Sequence, residues 1–156
     1  VVTKLFTIIR PDTAYFGQKD AQQTIVIGKL NRDLNLGVNV KVLPTVREPD
    51  GLAMSTRNSY LKPDERQASR VLFQSLTLAY DMHSNGQQNA NEIKNEMRSL
   101  IETEPQARIN YISVAQPDTL EEIDHINNGA LISLAVKIGQ TRLIDNITVG
   151  PNDIYV

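Results

Sequence analysis

The 156-residue chain contains no cysteine. Disulfides and thiolate metal sites are therefore excluded, and redox chemistry says nothing about its compartment. Nor is there an excess of one charge: 16 Lys and Arg against 18 Asp and Glu leave a net charge of −2. No basic field is available to gather nucleic acid. No apolar run reaches the length of a membrane-spanning helix, and no signal-peptide pattern is present. Internal repeats and low-complexity segments are also missing. These absences lead to the expectation of a soluble, cytoplasmic protein with neither a membrane nor a nucleic-acid partner. What remains is ordinary for a globular chain: 40% of residues are hydrophobic and 22% charged, enough to form a core in one domain or two small lobes.

Periodicity divides the chain into two textures. Val1, Leu5 and Ile9, with Val2 and Phe6 beside them, recur at helical spacing until Pro11. Thr13 to Phe16 reads as a short strand. A second helix runs from Asp20 through Ala21, Ile25, Val26, Leu30 and Leu34 toward Gly37, and Val38, Val40 and Val42 alternate as a second strand. This is the order of an α/β sheet unit, and its opening inside a helix leads us to expect further chain upstream. Beyond Pro44 the pattern changes. A turn-rich loop with "PDG" at 49–51 is followed by Pro63 at the first turn of a helix. Ala68, Val71, Leu72, Ser75, Leu76 and Ala79 form one apolar stripe, and Ile93, Met97, Leu100 and Ile101 another. Strands are expected over 109–114, 130–138 and 142–149, the last two as a hairpin turning at "GQ". The expected fold is α/β: the tail of a Rossmann-like domain over 1–45, a small α+β lobe with a roughly three-stranded antiparallel sheet over 46–150, and a tail at 151–156.

Two segments carry chemistry. In "FGQKDAQQ" (16–23) a strand gives way to glycine, lysine and the start of a helix. Helix N-termini favour anions, glycine lets a ligand approach the backbone, and Lys19 adds a mobile positive charge. A competing reading makes Asp20 and Gln23 a capping box, with Lys19 simply solvated. In "GLAMSTRN" (51–58), Ser55, Thr56 and Arg57 combine hydroxyls with a guanidinium, a suitable clamp for polyphosphate, and Arg47 stands in the same loop. Here the competing reading has Arg57 capping a helix or pairing with Asp50. The loop is polar and turn-rich with few apolar anchors, so mobility is expected over 46–58.

"VVTKLF", "PDTAYFGQKDAQQ", "VREPDGLAMSTRNSYL" and "RLIDNI", in that order, resemble the pantothenate synthetase (pantoate–β-alanine ligase) family over nearly the whole chain. The resemblance implies an enzyme that joins pantoate to β-alanine with ATP and Mg2+, through a pantoyl adenylate, in coenzyme A biosynthesis. It implies that Gly17, Gln18, Lys19 and Asp20 line the ATP site and that Gln23 holds pantoate. Val46 would contact the adenine side, and Met54, Ser55, Thr56 and Arg57 would form the mobile ATP loop. Lys19, Ser55 and Arg57 would be the catalytic groups, with no protein-built metal site. Serine is usual in the family where Thr56 stands, and the hydroxyl is retained. A serine or threonine is usual at Lys62, so the cap of the following helix is expected to be weak. The family's amino-terminal half, with its HIGH-type histidine motif, has no counterpart here: His83 and His125 follow no such pattern and are expected at the surface. The chain thus resembles a carboxyl-terminal part, inactive by itself, of an enzyme that is a homodimer when complete. A catalytically silent folded module and another ligase of the nucleotidyltransferase superfamily are the alternatives. Asp145 and Asn146 are expected to serve only the turns and pairing of the last strand.

Overall fold

The computed structural model describes residues 1–150, so the tail expected at 151–156 lies outside the described residues. The chain divides into two units, residues 1–45 and the chain from residue 46 onward.

In the first unit, α1 (Val2–Ile9) ends where Arg10 turns left-handed and its N–H bonds the Phe6 carbonyl at 3.0 Å; Pro11 then prevents the helix from continuing. Strand β1 (Thr13–Gly17), helix α2 (Ala21–Asp33) and strand β2 (Asn39–Leu43) follow. The strands pair in parallel, from Thr13 opposite Asn39 to Gly17 opposite Leu43, with α2 as the crossover between them. Phe6, Ile27 and Val38 are buried together, and the rings of Phe6 and Phe16 meet edge-on with centroids 6.4 Å apart. Asn31 closes the unit by bonding both backbone groups of Val38 with its side-chain amide. The inward face of α2 is Ala21, Thr24 and Ile27, whereas Val26, and Leu34 just after the helix, are exposed. The five apolar positions that mark this helix in the sequence cannot all share one face at 100° per residue.

In the second unit, α3 (Pro63–Ala68) and α4 (Arg70–Ser84) replace the one long helix suggested by a continuous stripe. The break is at Ser69, fully buried, whose hydroxyl donates to the Arg66 carbonyl and competes with the helical pattern. The stripe from Ala68 to Ala79 is nevertheless buried throughout. The cap at Lys62 is supplied from the other side: the Glu65 carboxylate accepts from the Lys62 N–H at 2.9 Å. Helix α5 (Ala90–Glu102) starts at Asn89, whose side chain accepts from the N–H groups of Asn91 and Glu92. Strands β3 (Ala107–Ala115), β4 (Ala130–Ile138) and β5 (Thr141–Val149) form an antiparallel sheet in that order. The last two turn at Gly139, whose positive φ suits the first central position of a two-residue hairpin. Leu72, Leu76, Ile93, Met97, Ile132, Leu134 and Ile147 are among the fully buried side chains of this core. Each contributes about 1.5–3 kcal/mol by leaving water.

Candidate functional site

The first candidate segment begins at the carboxyl end of a parallel strand, where open α/β sheets place their ligands. Gly17 is the last residue of β1, and Gln18, Lys19 and Asp20 form a single 3-10 turn leading into α2. Gly17 has an extended backbone, and a Cβ added there would meet nothing within 4 Å. Neither its conformation nor packing within the chain requires a glycine. Gln18 is buried, Lys19 half-buried, and Asp20 and Gln23 exposed. Asp20 precedes α2 but makes no side-chain cap bond, so the capping-box alternative is not formed. The 3-10 turn runs directly into α2, which places Lys19 and Asp20 beside the positive end of the helix dipole.

The second segment is built on a tight loop. Arg47 and Ala53 form an antiparallel bridge, and the Met54 N–H donates to the Val46 carbonyl at 2.9 Å. Gly51 supplies the positive φ at the turn, where any Cβ would strike the Phe73 ring. Leu52 and Ala53 are buried. The expectation that this loop lacks apolar anchors is therefore corrected: its first part is fastened to the core, and the exposed residues are Val46, Pro49, Met54, Thr56 and Arg57, with Ser55 half-buried.

Charge completes the fastening. Arg47 forks onto Asp145 of β5 at 2.7 and 3.2 Å, donates to the Gly51 carbonyl at 3.1 Å, and lies 4.6 Å from the Phe73 ring centroid. The Arg47 side chain is 12% exposed and that of Asp145 1%. Removing either partner of such a pair costs about 3–5 kcal/mol, because a buried charge is stranded. Both Asp145 and Asn146 are buried in mid-strand, and Asp145 does more than pair a strand, since it holds the loop through Arg47. Around the turn, Arg66 of α3 forks onto Asp50 at 2.6 and 2.9 Å and reaches Glu48 at 2.8 Å, and Arg70 of α4 adds a bond to Asp50 at 3.1 Å. Hydrogen bonding from Arg66 holds the Asp50 carboxyl well below the usual carboxylate range. The same donor, then Asn58, lowers Glu48, and Asp50 in turn raises Arg66.

Asp50 is thereby taken up by Arg66 and Arg70, which corrects the alternative that pairs it with Arg57. Ser55 caps the short 3-10 helix Thr56–Tyr60 by accepting from the Arg57 N–H at 3.2 Å. Among the described residues the Arg57 guanidinium itself has no hydrogen-bond or ion-pair partner. Of the two histidines, His125 is exposed, whereas His83 is half-buried with Nδ1 out of solvent and without a partner among the described residues. No group of three or more His, Cys, Asp or Glu among the described residues is placed to hold a metal ion. Sequence reasoning gave Glu48, Arg66 and Asn58 no role and assigned Asp145 only to strand turns and pairing. Only Asp145 carried a signal: a carboxylate inside the apolar run of "RLIDNI" needs a buried cation to pair with.

The family model described as pantoate-beta-alanine ligase matches residues 1–148. The pantothenate synthetase of Roseiflexus sp. (strain RS-1) is 55% identical over 146 residues, which cover 94% of this chain and 52% of that protein. That of Chloroflexus aggregans is 51% identical over 147 residues, covering 94% and 53%. A crystal structure of pantothenate synthetase from Thermus thermophilus superposes with a TM-score of 0.90 at 37% identity, over 96% of this chain and 54% of that one. One of pantoate-beta-alanine ligase from Francisella tularensis, complexed with beta-gamma ATP and beta-alanine, gives 0.64 at 32% identity, over 93% and 46%. The chain spans about half the length of the curated relatives it matches. With a family model matched from residue 1 to 148 and half of all positions shared with its relatives, the chain belongs to the pantoate–β-alanine ligase family.

Proposed function

We propose that this chain supplies part of the site at which pantoate and β-alanine are condensed with ATP, and that the activity belongs to a full-length polypeptide carrying it. A pantoate carboxylate oxygen attacks the α-phosphorus, the bond to the bridging oxygen breaks, and pyrophosphate leaves. The β-alanine amine then attacks the acyl carbon and loses a proton as AMP departs. In this reading Gly17, Gln18, Lys19 and Asp20 receive the nucleotide, Gln23 bonds pantoate, and Val46 lies toward the adenine. Met54, Ser55, Thr56 and Arg57 close over the phosphates, with movement confined to those four. Lys19, Ser55 and Arg57 stabilise the negative charge that grows on the α-phosphate.

The observation that carries this reading is the mouth of α2, a helix N-terminus at the end of a parallel strand, beside Lys19, whose N-cap residue Asp20 makes no side-chain cap bond. Mg2+ fits as a companion of ATP, since it is commonly held by one or two carboxylates and the substrate's phosphates, and Asp20 offers one exposed carboxylate. Bound there, it would neutralise phosphate charge. A cytoplasmic homodimer operating in coenzyme A biosynthesis is the setting this reading implies.

Because the chain spans about half of its relatives, positioning is incomplete in it alone, and positioning is worth about 7–11 kcal/mol. This favours a folded but silent module when residues 1–156 stand by themselves. The test is AMP and pantothenate release from pantoate, β-alanine and ATP. A full-length polypeptide should turn over; residues 1–156 should not, and the complementary segment added in trans should restore some activity. No AMP from the full-length polypeptide would remove the functional reading. Turnover by residues 1–156 alone would remove the division of labour.

A further inference from the structure

Met54 to Arg57 form a four-residue arch whose two feet are Ala53 and Asn58. At the first foot, Ala53 is bridged to Arg47, which Asp145 holds in place. At the second, Asn58 Nδ2 donates to the Ala53 carbonyl at 3.2 Å and to Glu48 Oε1 at 2.7 Å. The Asn58 N–H also donates to the Ser55 carbonyl at 3.0 Å. One side chain therefore ties the end of the arch back to its beginning and to Glu48, which Arg66 grips at 2.8 Å.

The orientation of this amide is dictated by its partners. An ionised Glu48 and a backbone carbonyl are both acceptors, so the NH2 group must face them. Asn58 Oδ1 is consequently left buried with no hydrogen-bond partner among the described residues. Native structures seldom leave such an acceptor unsatisfied. Its retention here is explained if both donors of the amide are needed where they are.

Resting on the function proposed above, we infer that Asn58 is a positioning residue for adenylate formation: it closes the arch so that the Ser55 hydroxyl and the Arg57 guanidinium face the triphosphate together. It touches no substrate and acts through those two groups.

Asn58→Asp keeps the size of the side chain, removes both donors and turns a carboxylate toward Glu48. In a full-length polypeptide carrying this chain, single-turnover adenylate formation at saturating ATP and pantoate should fall about tenfold, the rate equivalent of one lost hydrogen bond. The KM for ATP should move less than kcat, and β-alanine capture of preformed adenylate should stay within about twofold. Amide exchange at 54–57 without nucleotide should quicken while α4 and β4 are unchanged. Unchanged adenylation, or an equal fall in both half-reactions, would overturn the positioning role, and unchanged exchange at 54–57 would overturn the closure. A wild-type polypeptide that forms no adenylate would instead overturn the functional reading; the exchange measurement then still decides whether Asn58 closes the arch.

Discussion

Lys19 sits in the single 3-10 turn between β1 and α2, at the positive end of the α2 dipole. A phosphate seated there gains the helix dipole and an adjacent ammonium charge at once. In the proposed reaction, charge on the α-phosphate is greatest during adenylation, and the second half-reaction disperses it onto AMP. Lys19→Ala in a full-length polypeptide should therefore lower single-turnover adenylation about 100-fold and β-alanine capture much less. An adenylation rate equal to wild type would remove Lys19 from the catalytic groups. Gly17 belongs to the same argument: nothing in the described chain requires it to be glycine, so the space it leaves is available to a ligand.

At the scale of the element, the loop between β2 and α3 is held by ions on two sides, Asp145 behind it and Arg66 with Arg70 beside it. The Arg66, Glu48 and Asp50 side chains are 20–30% exposed, so water screens part of their attraction. Asp50 and Glu48 are both depressed in the folded chain. Their contribution is thus complete above the ordinary carboxylate value of about 4 and is lost as pH falls through the lower folded values. Between pH 4 and 2 the wild-type Tm should drop more steeply than that of Asp50→Asn, by about 2–5 °C. Parallel curves for the two proteins would show that the Arg66 network adds nothing to the acid sensitivity of the fold.

For the whole molecule, the distribution of apolar surface matters most. The second unit has a core of fully buried side chains such as Leu72, Leu76, Ile93 and Met97, but in the first unit Leu5, Ile8 and Ile9 of α1 are exposed, as are Val26 of α2 and Leu34 just after it. Ile8 alone is 78% exposed. A helix apolar on most of its faces is ordinarily covered. Residues 1–156 expressed alone should self-associate, with a sedimentation-derived mass that rises with concentration in the micromolar range. Substituting Ile8→Lys and Ile9→Lys together should suppress this. A strictly monomeric wild-type chain across that range would refute the prediction.

Local rules acting along the chain were sufficient for much of this. Alternation and helical spacing marked the five strands of the described residues within about two residues, the Gly139 hairpin, and the stripes of α4 and α5, because burial on one face leaves its period in the residues themselves. That Gly17 ends a strand, that Lys19 stands in the turn into a helix, and that Ser55, Thr56 and Arg57 lie in the loop between β2 and α3 was visible for a similar reason: such junctions are made by neighbours in sequence. The break at Ser69 was not legible, since the apolar stripe crosses it without interruption and only a hydroxyl's choice of carbonyl divides the helix. The inward face of α2 was also left undecided, because it has more apolar residues than one face can bury. Most distant from any local pattern is the anchoring of the loop. Arg47 and Asp145 are 98 positions apart, and Arg66 could have paired with several carboxylates at equal cost in the extended chain. Which charge meets which is decided only when the sheet and helices bring them within about 3 Å, where burial makes every wrong pairing expensive.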